Sequence, residues 1–420
     1  MVKLLAQDNL DLSEFVRPGD TVLWGQANAE PLPLTTALMA QSKRIGRFRV
    51  MLGIANAPTC QPEHADSVDF IAYCGAGYNR ELASAGVLEL LPSHYSQLPG
   101  LIRSGALRID VLLVQVAPAD SNGRHSLSIA HEYLLSALDS ARVVIAEINL
   151  QAPRTFGERT LAPEDFDAVL HTDRPPLESP PSAMRPSDTQ IARYIAALVD
   201  DGATLQMGIG AIPDAVLDGL TQHRDLGVHS GSLGDRVALL MREGVITNAR
   251  KSRDRGVSIG GVLLGTRLMH EFAHDNPAIQ LRSTNYTHDP QVLASLNRLV
   301  AINSAVEVDL TGQINSEVAG GSYIGAVGGA VDFLRGAQQS KGGLPIIALP
   351  STAGPHSRIV ARLDYPTTIG RSDAGLIVTE FGIADLRGKT IKQRVESLLQ
   401  IAHPEHRARL ENEFAKQRCS

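Results

Sequence analysis

Short, almost unbroken apolar runs recur along this chain, and they limit what it can fold into. In the first part they are TVLWGQ (21–26), FRVMLGI (48–54), SVDFIAYCG (67–75), VLLVQVAP (111–118) and ARVVIAEINL (141–150). Each is rich in β-branched and aliphatic residues, and none keeps the strict alternation of a strand with one wet face. Strands of that kind are covered on both sides, which is the habit of parallel sheets with helices on each face. Helical patterns such as PLTTALMAQ (33–41) and HEYLLSALDSA (131–141) lie between them. A second series follows: ATLQMGI, LGVHSG, GVLLGT, VAINSAVEVDLTG, LPIIALPS and AGLIVTE, between residues 203 and 380. The fold class predicted is α/β, with two similar doubly wound, open-sheet domains.

The two series echo each other. RPGDTVLWGQANAEPLPLTTAL (17–38) and DGATLQMGIGAIPDAVLDGL (201–220) both read as a turn, an apolar strand, a glycine-bearing loop with a proline, then an apolar helix. Between the halves stands HTDRPPLESPPSAMRPSD (171–188), whose five prolines forbid helix and central strand alike. The predicted organisation is a first domain over 1–172, a Pro-rich linker over 173–187, and a second domain over 188–420 with a helical tail broken at Pro404. Ser187-Asp188 reads as the helix cap for TQIARYIAALVDDG. The cleft between two such domains is the expected ligand site.

Composition narrows the class. A net charge of −6 with no basic stripe argues against a nucleic-acid partner. No apolar run is long enough to span a membrane, and acidic residues come too early for a signal peptide. Cys60, Cys74 and Cys419 are odd in number and far apart, which fits a reducing cytoplasm better than a disulfide framework. His125, His131, His229, His274, His288 and His356 are dispersed, HEYLL has no second histidine at the metal-binding spacing, and CxxC is absent, so no metal is expected.

Two glycine loops carry the chemistry. GIGAIPDAV (208–216) joins a strand to a helix, where main-chain amides and a helix N-terminus can hold an anion. Pro213 occupies the sixth place of the dinucleotide fingerprint, and GxxxxGK[ST] is absent, so neither a nicotinamide site nor a P-loop is indicated. TGQINSEVAGGSYIGAVGGAVDFLRGA (311–337) is dense in glycine, a composition tolerated where backbone passes close to a ligand or aims several donors at one oxygen. Its apolar residues Val318, Ile324, Val327 and Phe333 argue for burial.

These stretches, together with NLQAPRTFG (149–157), GQINSE (312–317), RSDAGLIVTEFGIADLRGKT (371–390) and IAHPEHRARL (401–410), resemble the acetyl-CoA hydrolase/transferase family. That group includes 4-hydroxybutyrate, butyrate and succinate:acetate CoA-transferases. The resemblance runs through most of the chain. It implies two CoA-transferase domains, a homodimer, coenzyme A or acyl-CoA as substrate with no permanently bound cofactor, and a small carboxylic acid as second substrate. By position it places Gly208, Ile209, Gly210, Ala211 and Ile212 against CoA, and Gly328 and Gly329 beside the thioester and pantetheine.

The resemblance fails at one point. Its members work through a glutamate that stands third in a His-Thr-Glu or His-Ser-Glu motif and attacks the acyl-CoA thioester. Here the stretch is HSGSLGD, with His229, Ser230 and then Gly231, while Asp235 is retained. Three readings follow. Another carboxylate has taken over, with Glu63, Glu30 and Glu317 as candidates in that order. Alternatively the acceptor acid, or water, attacks directly, and water would make the chain an acyl-CoA hydrolase. In the third, the chain is a non-catalytic CoA-binding or regulatory relative. His229, Ser230, Ser232, Arg358 and Arg371 are further candidates for contact with substrate, and the space at Gly231 suits a branched or dicarboxylic acid such as itaconate or succinate.

Overall fold

The computed structural model describes residues 2–417; Cys419 lies outside them. Its first half is an eight-stranded sheet in the order Lys3–Leu5, Ala168–Thr172, Val143–Asn149, Val111–Val116, Thr21–Trp24, Phe48–Leu52, Val68–Ala72, Leu88–Leu90. Every pairing in it is parallel. The five predicted runs form its centre. Along them Val22, Trp24, Leu113 and Ile145 join one apolar cluster, while Leu23, Leu112, Val114 and Ala146 join another. Both faces are therefore covered, and each buried aliphatic side chain contributes roughly 1.5–3 kcal/mol. The three outer strands were not anticipated from sequence. Lys3–Leu5 and Leu88–Leu90 have only three residues each, with Lys3 and Leu4 exposed, and Ala168–Thr172 carries the exposed His171 among its apolar residues, so none reads as an unbroken apolar run.

The second half is a six-stranded sheet: Gly227–Val228, Thr204–Met207, Leu299–Ser304, Leu344–Ala348, Leu376–Thr379, Gly382–Asp385. Its pairings are parallel except for the closing hairpin, which turns at Glu380-Phe381. Two predicted strands behave differently. VAINSAVEVDLTG divides after Ser304, and Glu307–Asp309 pairs in a separate small sheet. Val262–Leu263, from GVLLGT, pairs with Ser232–Leu233 outside the main sheet.

The Pro-rich stretch reaches only to Arg185, because Pro186 already begins the helix Pro186–Ala196. Asp188 is not the cap but the third helical residue. Its buried carboxylate accepts the Arg185 main-chain N–H at 3.0 Å and the Arg185 guanidinium. The stretch is no free tether either, since Ser179 donates its N–H to Gly265 O and its hydroxyl to Asn28. The halves are joined elsewhere as well. Phe156–Gly157 pairs with Ile279–Leu281 of the second half, and a single apolar cluster draws residues from both main sheets.

Candidate active site

Two cavities lie between the halves and share Ile54, Ala76, Met207, Gly208, Ile209, Ser232 and Leu264 as walls. The larger, of about 940 Å³, is lined by Gly208–Gly210, Pro213, Arg80, Arg236 and the Pro-rich stretch at Glu178–Ser182. The smaller, of about 290 Å³, is lined by Gln26, Tyr73, Tyr95 and Glu132 from the first half, and by Gly231, His288, Asn303 and Gly325–Ala330 from the second. A loop from each half of the sequence thus meets its counterpart at one place.

The first glycine loop leaves the strand end at Met207. Gly208 spends its N–H on Ile302 O at 2.8 Å, so it offers close approach rather than a donor. Gly210 has φ +122°, a conformation that glycine alone adopts readily, and the helix Ala211–Gly219 follows with no side-chain cap. Ile209 is 60% exposed at the junction of the two cavities, whereas Ile212 is packed in the core. Ala211 and Ile212 line neither cavity.

The second loop is pinned to the first half by backbone. Gly75 N–H donates to Gly325 O at 2.8 Å and Tyr95 N–H to Gly328 O at 3.0 Å. At Gly329 a Cβ would lie 2.6 Å from His288 Nε2, and that ring is wedged between Tyr95 and Phe333. Phe333 is buried as predicted, while Val318, Ile324 and Val327 are half-buried.

The structure locates the three candidate glutamates as follows. Glu63 is exposed on the 3-10 turn Pro62–Asp66. Glu30 is buried, and one of its oxygens accepts the hydroxyls of Thr35 at 2.7 Å and Thr59 at 2.6 Å. Desolvation pushes its carboxyl up, against those bonds and the nearby Arg174. Glu317 is buried with both oxygens engaged, one by Thr368 at 2.7 Å and the other by Tyr323 at 2.9 Å, which braces the small hairpin of Val318–Ala319 and Ser322–Tyr323 within the second glycine loop. None of the three lines either cavity.

A fourth glutamate does. Among the described residues, Glu132 is the one carboxylate lining the smaller cavity. Its turn crosses the second half: His131 N–H donates to Gly261 O at 3.0 Å, and Glu132 O accepts Thr284 N–H at 3.3 Å. Glu132 has φ +36°, and Ala27, next to Gln26, has φ +52°, both in the left-handed region that costs a non-glycine residue energy. A Cβ on Gly261 would lie 3.2 Å from Glu132 Cγ and 2.9 Å from Gly231 O, so Glu132 and Gly231 flank the same glycine.

One amide orients the carboxylate. Gln26 Nε2 donates to Glu132 Oε1 at 2.7 Å and Oε2 at 2.9 Å. The direction of that amide is fixed, because its Oε1 accepts the Ile54 N–H at 3.0 Å and the Tyr73 hydroxyl at 2.5 Å. Tyr73, Tyr95 and Tyr133 pack edge-on around the pair. Burial holds the Glu132 carboxyl up at about 7, with the hydrogen bonds of Tyr95 and Gln26 opposing it. Sequence reading passed over Glu132 because HEYLL was weighed as a metal motif and as the start of a helix. The helix begins only at Leu134.

Of the remaining candidates, all but Ser232 are structural or remote. His229 is fully buried, bonds Thr287 O through Nε2 at 3.1 Å, and is held neutral by burial and by Lys251, with its pKa lowered to about 3. Ser230 returns its hydroxyl to Met207 O. Arg358 and Arg371 line neither cavity, whereas Ser232 lines both. Asp235 lines the larger one, but its carboxylate accepts Thr266 N–H at 2.9 Å and Met269 N–H at 3.2 Å at the start of the helix Arg267–Ala273.

Comparison with known proteins bears on this geometry. Residues 3–177 match the acetyl-CoA hydrolase/transferase N-terminal domain, and residues 265–414 match the acetyl-CoA hydrolase/transferase C-terminal domain. The chain belongs to the acetyl-CoA hydrolase/transferase family. It is 41% identical to the 4-hydroxybutyrate coenzyme A transferase of Clostridium kluyveri over 94% of each chain. The crystal structure of RipA from Yersinia pestis superposes with a TM-score of 0.93 at 35% identity, covering 99% of this chain and 98% of that one. An acetyl-CoA hydrolase of Yarrowia lipolytica is 32% identical, but over 49% of this chain and 39% of its own. For this acetyl-CoA hydrolase/transferase family member, the two-domain α/β architecture expected from sequence is what is observed.

Proposed function

We propose that the protein is a CoA-transferase that moves CoA between a short-chain acyl-CoA and a small carboxylic acid of the butyrate, 4-hydroxybutyrate, succinate or itaconate type. In this reading it works in the cytoplasm as a homodimer with no permanently bound cofactor. Among the described residues no helix is long and apolar enough to cross a membrane.

The observation that carries the reading is the meeting of both glycine loops at one cavity system with a buried carboxylate. The larger cavity is roomy enough for a drug-sized ligand, and its Arg80 and Arg236 suit the phosphates of CoA. Gly208, Ile209 and Gly210 would then lie along the pantetheine, with Ala211 and Ile212 behind them shaping the helix start. Gly328 and Gly329 would border the thioester in the smaller cavity. A carboxylate enclosed by tyrosine rings and glycine backbone has little access to bulk water, which favours transfer to an acid over hydrolysis.

The test is an assay with acetyl-CoA or butyryl-CoA, with and without free carboxylic acids. New acyl-CoA should form only when an acid is present. Release of CoA at the same rate with no acid would make the protein a hydrolase, and thermal stabilisation by CoA with no turnover would make it a binding protein.

A further inference from the structure

We propose that Glu132 is the nucleophile of this protein, taking up acyl and CoA groups in turn from the floor of the smaller cavity. The inference rests on the CoA-transferase reading and adds the residue that performs it.

A transferase that works through a covalent intermediate parks the acyl group and then CoA on one of its own side chains while the partner exchanges. Of the side chains lining the smaller cavity, those able to form a covalent bond are Cys74, Tyr73, Tyr95, Glu132, His288 and the serines Ser232, Ser304 and Ser316. The His288 ring is wedged between Tyr95 and Phe333, with Nδ1 bonded to Thr287 and Nε2 turned to the Gly329 backbone, so it has no room to take up an acyl group. Burial pushes the Cys74 thiol up to about 11 and the tyrosine hydroxyls well above their usual range, so all three stay protonated near neutrality. Among the described residues no hydrogen bond joins these serines to a histidine or carboxylate that could take their proton, and the Ser316 hydroxyl is buried without a partner. Glu132 needs no base. Its carboxylate is oriented at both oxygens by one amide, is held on a turn strained into the left-handed region, and flanks Gly261 together with Gly231. Strain kept at a fully enclosed residue is what a site that must pre-aim a side chain retains.

The steps balance without water, metal or redox partner. A Glu132 oxygen bonds to the acyl carbon of the thioester, the C–S bond breaks, and CoA leaves as thiolate, giving an acyl-glutamyl anhydride. The thiolate attacks the Glu132 carbonyl carbon and the anhydride C–O bond breaks, releasing the first acid as carboxylate and leaving a glutamyl-CoA thioester. The second carboxylate attacks that thioester, CoA leaves again, and the thiolate then attacks the acyl carbon of the new anhydride. Acyl-CoA departs and Glu132 is restored as carboxylate. One thioester is present at the start and at the end, so the exchange is near balance.

The experiment uses the full-length protein. Wild type is incubated with acetyl-CoA and butyrate, trapped with hydroxylamine, digested and mapped by mass spectrometry. Glu132→Gln is assayed beside it for transfer and for thermal stabilisation by CoA. A hydroxamate is expected on Glu132, and transfer by Glu132→Gln should fall by about 10⁴-fold or more, the scale set by removal of other nucleophiles, with CoA binding kept. A hydroxamate on another carboxylate, no hydroxamate during active transfer, or a Glu132→Gln variant within tenfold of wild type would each overturn the assignment while leaving the transferase reading intact. Conversely, hydroxamate on Glu132 in a protein that only hydrolyses acetyl-CoA would uphold Glu132 and remove the transferase reading. If Glu132→Gln does not fold, the wild-type trap decides alone.

Discussion

A buried carboxyl whose proton is held up to about 7 leaves a signature in stability as well as in rate. Between the ordinary glutamate range and 7 the unfolded chain has lost the Glu132 proton while the folded chain keeps it. The folded state therefore binds more protons, and stability contributed by this site falls as pH rises through that window. The full penalty, about 3 kcal/mol by linkage, is reached above pH 7. Glu132→Gln keeps the shape and removes the charge. Its melting temperature should match wild type near pH 5 and exceed it at pH 8, with the gap widening across the interval. A constant gap would mean that Glu132 does not titrate there. Gln26 supplies the second test at this scale. Its amide lowers the Glu132 pKa, so Gln26→Leu should move the acid limb of kcat/KM, centred near pH 7 in wild type, to higher pH. A purely structural loss would lower kcat/KM at every pH with the midpoint unmoved. Neither residue was legible in the sequence. Gln26 stands 106 positions from its partner, and the turn that presents Glu132 sits inside what local pattern reads as a helix start.

Among the elements, the sequence was informative wherever a segment carries its own reason to form. The central strands, the break at Pro404 and the two glycine loops all announce themselves through local composition. Thr390 likewise opens Ile391–Ile401 with a reciprocal capping box to Gln393. What local composition does not carry is which surface a loop rests on. The second glycine loop is positioned by hydrogen bonds from Gly75 and Tyr95, more than two hundred residues away in the chain, and by the His288 ring behind Gly329. That ring cannot yield easily, being buried between Tyr95 and Phe333. Gly329→Ala should consequently push the loop into the cavity. We expect a loss of about 1–3 kcal/mol in stability, the usual cost of overpacking, and a rise in KM for acyl-CoA larger than that for the carboxylic acid. Melting curves and initial rates with each substrate varied in turn give the answer. An unchanged KM for acyl-CoA would place the thioester away from this loop.

For the whole molecule, the echo between the halves suggests two units that fold independently, yet the packing argues for one. The inner faces of both main sheets contribute to a single apolar cluster that includes Leu23 and Leu112 from the first and Leu205, Val300 and Ile346 from the second. Phe156–Gly157 is paired into a sheet of the other half, the Ser96 hydroxyl bonds Asp332 at 2.7 Å, and the turn bearing Glu132 lies across Gly261 and Thr284. Exposing either half would open that cluster and leave these main-chain groups without partners, so partial unfolding carries nearly the cost of complete unfolding. The chain offers a convenient reporter, since its one tryptophan, Trp24, is buried in the central strand of the first sheet. Most helical residues lie in the second half, so far-UV circular dichroism weights the other side. Urea titrations followed by Trp24 fluorescence and by circular dichroism should therefore coincide, and coenzyme A should shift both midpoints upward together. Two separated transitions, with CoA moving only one, would show that the halves unfold independently and that the coenzyme is held by one of them alone, contrary to a site whose two glycine loops, carboxylate and tyrosine cluster are assembled only when both halves are in place.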